Sequence, residues 1–299
     1  MRPAEPTANN GGLLYGLAAY GMWGVFPAFF TLLAPAGAPE ILAHRVVWTV
    51  LFMAVVLVAV GRVGDLRTIN RRTWLLLTFA SALISTNWLI YIWAVNSDNV
   101  VDAALGYFIT PLVSVVLGMA LFGERLNRIQ IAAVLIATAA VFLLSAGVAG
   151  LPWIGIGLAL SFGMYGAVKK VVPTDPRVSV AVETAVAAPF ALVYLAVLQV
   201  SGDSDFLNHG PGHIALMLLC GPVTAIPLLC FAVAARRLPL ITLGLLQYLT
   251  PSMQLIWGVV VDHEPMPPAR WAGFVLIWIA LAIFTTDALR RAYRERPGA

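Results

Sequence analysis

Residues 102–124 read DAALGYFITPLVSVVLGMALFGE, and residues 242–264 read TLGLLQYLTPSMQLIWGVVVDHE. Each is a long apolar run with one proline near its middle, long enough to cross a hydrocarbon core about 30 Å thick as a helix. At an offset of 140, Thr110-Pro111 falls on Thr250-Pro251, Gly118 on Gly258 and Glu124 on Glu264. Leu89 and Ala94 fall on Leu229 and Ala234 at the same offset. A second match, at 142, sets Gly21-Met22-Trp23-Gly24 on Gly163-Met164-Tyr165-Gly166. The chain therefore contains two related halves.

Apolar runs of this kind continue in both directions. They predict ten spans: 12–33, 40–60, 74–95, 102–122, 129–147, 153–170, 178–200, 213–235, 240–261 and 270–288. Composition agrees, with 61% hydrophobic and 11% charged residues and a mean hydropathy of +0.90. A soluble domain carries about a quarter charged residues because its surface faces water, so lipid is the expected outer solvent. The first run is about 22 residues long with Pro35 at the would-be cleavage site, which reads as a retained helix and not a cleaved leader. Cys220 and Cys230 lie on one run, about 15 Å apart along a helix, too far to bridge each other.

The basic residues set the orientation. With the N-terminus in the cytoplasm, sixteen of the eighteen Lys and Arg residues fall in internal loops or tails. The external loops carry Asp98, Asp102, Asp203, Asp205, Asp262 and Glu264. This alternation predicts a multi-pass protein of the bacterial inner membrane with both termini cytoplasmic. The net charge of +4 is accounted for in this way, so no nucleic-acid partner is expected. Each half has five spans, an odd number, so the second half enters the bilayer from the opposite side. Inverted repeats of this kind exchange conformations to open a midplane site to either face, the arrangement of secondary transporters.

Several ordered strings resemble the drug/metabolite transporter superfamily, with two EamA domains, and within it the RarD-type permeases. They are His44-Arg45-Val46-Val47-Trp48, Asn87-Trp88-Leu89, Ile92-Trp93-Ala94-Val95-Asn96 and Leu105-Gly106-Tyr107-Phe108-Ile109 in the first half. The second half has Glu183-Thr184, Pro227-Leu228-Leu229-Cys230-Phe231, Thr242-Leu243-Gly244 with Gln247-Tyr248, and Ile277-Trp278 with Ala280-Leu281-Ala282-Ile283-Phe284. The resemblance implies an all-α basket of ten helices, residues 12–147 and 153–288 forming its two inverted five-helix repeats and 1–11 and 289–299 its cytoplasmic tails. It further implies export or exchange of small organic molecules, with a drug-related label that often refers to chloramphenicol. One departure is visible: the second half ends Asp262-His263-Glu264 where the first has Phe122-Gly123-Glu124.

Ionisable residues inside a bilayer are costly and mark function by default. His44, Arg45 and Glu183 are the candidates, and at an offset of 139 His44 and Arg45 fall on Glu183 and Thr184. The competing roles are structural: a snorkelling anchor or partner of Glu40 for the basic pair, and an ion pair with Lys169 or Lys170 for Glu183. Asn87 and Tyr91, four apart, share a broad helical face with Trp88. Together with Trp48, Tyr107, Gln247 and Tyr248 these residues form the expected substrate site, since aromatic walls with a few polar groups suit an amphipathic ligand. Trp23 is a further candidate wall residue.

Other classes fit less well. His209 and His213 lie near Asp203 and Asp205, but no Glu or Cys completes a metal spacing, so neither metal nor cofactor is expected. No phosphate-binding glycine loop is present, and no paired nucleophile and base marks an enzyme. A small organic substrate and the lipid bilayer are the expected partners, and a homodimer is compatible with the sequence. A membrane-embedded enzyme or a receptor-like bundle without transport is the alternative.

Overall fold

The computed structural model describes residues 10–96, 100–145, 153–261 and 268–294, and all of its regular structure is helical. The first half contains α1 (Asn10–Gly24), α2 (Phe26–Thr31), α3 (Ala38–Ala59), α4 (Arg71–Asn96), α5 (Val100–Phe122) and α6 (Arg128–Ser145). The second contains α7 (Trp153–Val171), α8 (Pro176–Ser201), α9 (Gly210–Arg237), α10 (Leu240–Leu246), α11 (Leu249–Val260) and α12 (Pro268–Arg294). Among the described residues seven helical segments are long and apolar enough to cross a membrane, with α1 and α2 counted together. Arg128–Leu144 and Trp271–Asp287 are shorter apolar helices. Glu264 and the external acidic residues Asp98 and Asp262 lie outside the described residues.

Two of the expected continuous spans are broken, and proline chemistry accounts for both breaks. Pro27 has no N–H, so the carbonyl of Trp23 loses its helical partner. The Gln254 amide, from α11, donates to that carbonyl at 3.1 Å, and the Thr250 hydroxyl donates to the neighbouring Tyr20 carbonyl at 2.8 Å. The second break falls between α10 and α11. Pro251 cannot donate to Gln247, whose carbonyl instead accepts from Thr250 N at 3.1 Å in a tight turn. Each break is thus served by donors within the bundle, as non-helical backbone at membrane depth requires.

The halves interdigitate. α5 packs along α7, α6 along α12, α3 along α8 and α9, and α1 along α9. Lipid supplies little hydrophobic drive for helix association, so close backbone approach through small residues is the main device. At Gly221 of α9 an added Cβ would lie 2.5 Å from the Trp48 carbonyl oxygen, and at Gly244 one would lie 2.5 Å from Ser114 Cβ. The Thr49 hydroxyl seals the first contact by donating to the Gly221 carbonyl at 3.3 Å. Gly221→Ala is therefore expected to lower stability by about 1–3 kcal/mol, read as a fall in the thermal unfolding midpoint in detergent. Gly212→Ala, which meets nothing within 4 Å, is expected to leave the midpoint near that of the parent.

Candidate functional site

An ionic network closes the end of the bundle that carries the basic loops. The Lys169 ammonium of α7 donates to Glu183 Oε1 at 2.7 Å and to the Ser179 hydroxyl at 2.5 Å. Ser179 donates to the same carboxylate oxygen at 2.6 Å, and the Tyr165 hydroxyl donates to Oε2 at 3.0 Å. Lys169, Ser179 and Glu183 are all buried. The first half joins through the Ser81 hydroxyl, which donates to the Glu183 carbonyl at 2.7 Å. At the same end Glu124 receives the N–H groups of Leu240 at 2.7 Å and Ile241 at 2.9 Å. The last Glu of the first repeat thereby caps a helix of the second, where unpaired N–H groups favour negative charge. Lys170 stands 3.4 Å from the same carboxylate.

The opposite end is tied by a different acid. Glu40, also buried, accepts from the Ser204 hydroxyl at 2.9 Å and from the backbone N–H groups of Asp205 and Phe206 at 3.0 and 3.2 Å. His44 lies one turn along α3, its ring 4.5 Å from that of Phe206. Trp48 donates its indole N–H to His44 Nδ1 at 3.0 Å.

Between these ends stands an aromatic cluster on the seam of the halves. Phe231 of α9 meets Tyr20 at 6.1 Å, Trp23 at 5.6 Å, Phe162 at 5.5 Å and Tyr165 at 5.6 Å, the last pair stacked. Tyr20 and Trp23 correspond to Phe162 and Tyr165 at the offset of 142, so four of the rings are two repeat-related pairs. Phe231 corresponds to Tyr91 at the offset of 140. The two positions are treated differently: Phe231 is 1% exposed and Tyr91 40% exposed. Tyr91 touches Tyr107, with ring centroids 5.8 Å apart.

Arg45 packs against Trp88, one turn before Tyr91 on α4. Its guanidinium sits 5.0 Å from the Trp88 ring, 5.3 Å from Phe30 and 5.6 Å from Phe26. Its Nε donates to the Thr224 hydroxyl at 3.1 Å, and Tyr91 and Tyr107 are within its electrostatic reach. Below it a void of about 10 Å³, lined by Trp88, Tyr165, Glu183 and Thr184 among others, has room for roughly one water. A wider groove of about 680 Å³ lies between α1, α8 and α9 and is lined by Tyr15, Arg177, Cys230, Arg236 and Arg237 among others. It contains none of the substrate-site candidates named from the sequence.

Of those residues, Tyr91 and Tyr107 touch each other, and Arg45 meets Trp88, one helical turn before Tyr91 on α4. His44 and Trp48 belong to the Glu40 cluster, and Glu183 to the ionic network with Lys169. Asn87 is buried against α7, donating to the Leu158 carbonyl and the Ser161 hydroxyl, both at 3.0 Å. Gln247 and Tyr248 occupy the break between α10 and α11, where the Tyr248 hydroxyl donates to the Phe108 carbonyl at 3.3 Å. Trp23 and Trp48 stand in separate clusters. The sequence reading passed over Phe26, Phe30, Thr224 and Phe231; extending the two repeat offsets by a few residues singles out Phe231 alone among them. Among the described residues no three His, Cys, Asp or Glu side chains converge as metal ligands, and His209 instead pairs with Asp205 at 2.9 Å.

The family profile of EamA-like transporters matches residues 10–146 and 149–286. Two such units in an all-helical membrane chain define a membrane transporter, and the chain belongs to the EamA-like transporter family of the drug/metabolite transporter superfamily. Within that family it is of the RarD type. It is 50% identical to Protein RarD of Streptomyces exfoliatus over 95% of this chain and 91% of that one. It is 40% identical to Protein RarD of Escherichia coli over 93% of this chain and 95% of that one. A crystal structure sharing 20% identity superposes with a TM-score of 0.72, covering 93% of this chain and 98% of its own, which shows the shared fold.

Proposed function

We propose that the chain is a ten-span secondary carrier of the bacterial inner membrane that exports or exchanges a small organic molecule by alternating access. In this reading both termini are cytoplasmic, residues 12–147 and 153–288 act as the inverted repeats, and α6, α12 and the α10–α11 pair complete the ten spans. The substrate binds between the repeats near Arg45, Trp88, Tyr91 and Tyr107, while Glu183 and Lys169 close the cytoplasmic end.

The observation that carries this reading is the unequal setting of Phe231 and Tyr91. Inverted repeats that exchange conformations exchange the surroundings of equivalent residues. In the described state Phe231 plugs the seam on the side of Glu183 and Tyr91 is 40% exposed. In the exchanged state Tyr91 takes the plugging position and Phe231 lines the opening. Phe30 and its equivalent Val172 at the offset of 142 fit the same scheme, the first half-buried and the second 3% exposed.

The test labels single cysteines with a membrane-impermeant maleimide, in a background carrying Cys220→Ala and Cys230→Ala. Phe30→Cys is expected to react from the periplasmic side only and Val172→Cys from the cytoplasmic side only, and a bulky adduct at one is expected to protect the other. Reaction of both positions from the same side, or indifference of one to the other's adduct, contradicts the carrier reading.

A further inference from the structure

Among the described residues Arg45 meets no opposite charge. A cation at membrane depth is costly unless paired, and the other buried cation of the seam, Lys169, has its carboxylate at 2.7 Å. No carboxylate lies within 4 Å of the Arg45 side chain among the described residues, and its one hydrogen bond is from Nε to a neutral hydroxyl. A guanidinium carries five N–H donors in a flat fork, so its terminal nitrogens are left to donate elsewhere. Its neighbours come from three other helices, α2, α4 and α9. The side chain is only half-buried among them, so the fork remains accessible to a ligand. The repeat equivalent, Thr184, turns its hydroxyl back onto the Val180 carbonyl at 2.9 Å. The second half thus supplies no matching cation.

We infer that this cluster is the binding site of an organic anion, with the Arg45 fork holding a carboxylate and Trp88, Tyr91 and Tyr107 packing a flat apolar body. The planar fork matches a carboxylate bidentately, and the rings on its other faces fix the plane of the guanidinium. Burying the anion against Arg45 neutralises both charges, so the repeats close over a neutral pair more readily than over an unpaired cation. The inference rests on the carrier reading for its setting and extends it to the class of substrate.

The experiment measures equilibrium binding to purified protein in nanodiscs, by tryptophan fluorescence, of three compounds of one shape: 3-phenylpropionate, 3-phenylpropionamide and 3-phenylpropylamine. The carboxylate is expected to bind at least about tenfold more tightly than the amide, the difference of a charge-assisted hydrogen-bond pair, and the amine not at all. Arg45→Gln is expected to abolish that preference. Arg45→Lys, which keeps the charge and loses the fork, is expected to restore part of it. Equal binding of carboxylate and amide by the parent protein, or an unchanged preference in Arg45→Gln, overturns the inference. The parent series stands by itself if Arg45→Gln fails to fold. Selective binding without any flux preserves the anion site and removes the carrier; flux of a neutral compound that survives Arg45→Gln does the reverse.

Discussion

Replacing Lys169 with Met is expected to lower stability by about 3–5 kcal/mol, the cost of leaving a buried carboxylate without its cation. Lys169 and Glu183 are 2% and 4% exposed, so bulk water does not solvate the stranded carboxylate. Two hydroxyls, of Ser179 and Tyr165, remain as donors to the carboxylate, and they offset only part of the loss. Glu183→Gln strands the ammonium instead and is expected to be comparably damaging. The double variant Lys169→Met with Glu183→Gln buries no charge and is expected to recover most of the stability. A double-mutant cycle on unfolding midpoints in detergent reads the coupling. Additive losses would show that the pair does not hold α7 to α8.

The second large effect belongs to Phe231. Its ring is the member of the seam cluster that touches all four others, and removing a buried Phe side chain costs about 3–5 kcal/mol. In the proposed alternating-access cycle that loss falls on the described state, because Tyr91 takes over as the plugging ring in the exchanged state. A difference of about 3 kcal/mol between two states shifts their ratio by about a hundredfold. Phe231→Ala is therefore expected to slow periplasmic labelling of Phe30→Cys and speed cytoplasmic labelling of Val172→Cys, each by at least about tenfold. Tyr91→Ala is expected to push the same rates the other way. Unchanged rates in a folded Phe231→Ala protein would deny the ring any part in selecting the state.

Much of the helical layout was legible in the sequence, because run length and composition report directly on the solvent around a helix. The two halves were legible too, since Thr110-Pro111 and Thr250-Pro251 mark the same place in each. The breaks after Gly24 and at Gln247-Tyr248 were not. A proline inside an apolar run interrupts a helix only when other groups donate to the freed carbonyls, and at the first break these come from distant residues, Gln254 and Thr250. Nor was it legible which candidates meet. Helices apolar all round carry no clear stripe to fix their rotation, so nothing in the spacing of Asn87 and Tyr91 says that the first is consumed by Leu158 and Ser161 while the second touches Tyr107. An ion pair with Lys169 or Lys170 was the competing structural role for Glu183, and the spacing does not say which of the two lysines takes it. The match of Tyr91 to Phe231 was present at the offset of 140, but its meaning depends on the burial of each ring.

Counterflow into proteoliposomes tests the carrier most directly. Vesicles are loaded with a mixed pool of amino acids, related metabolites, phenyl-substituted carboxylates and amphenicols, and exchange is followed by mass spectrometry. Saturable uptake of one compound, accelerated by the same compound on the far side and lost in Glu183→Gln or Tyr91→Ala, is the predicted result. Flux that rises linearly with concentration and ignores the far side, or no flux from folded protein under an imposed proton gradient, would contradict it.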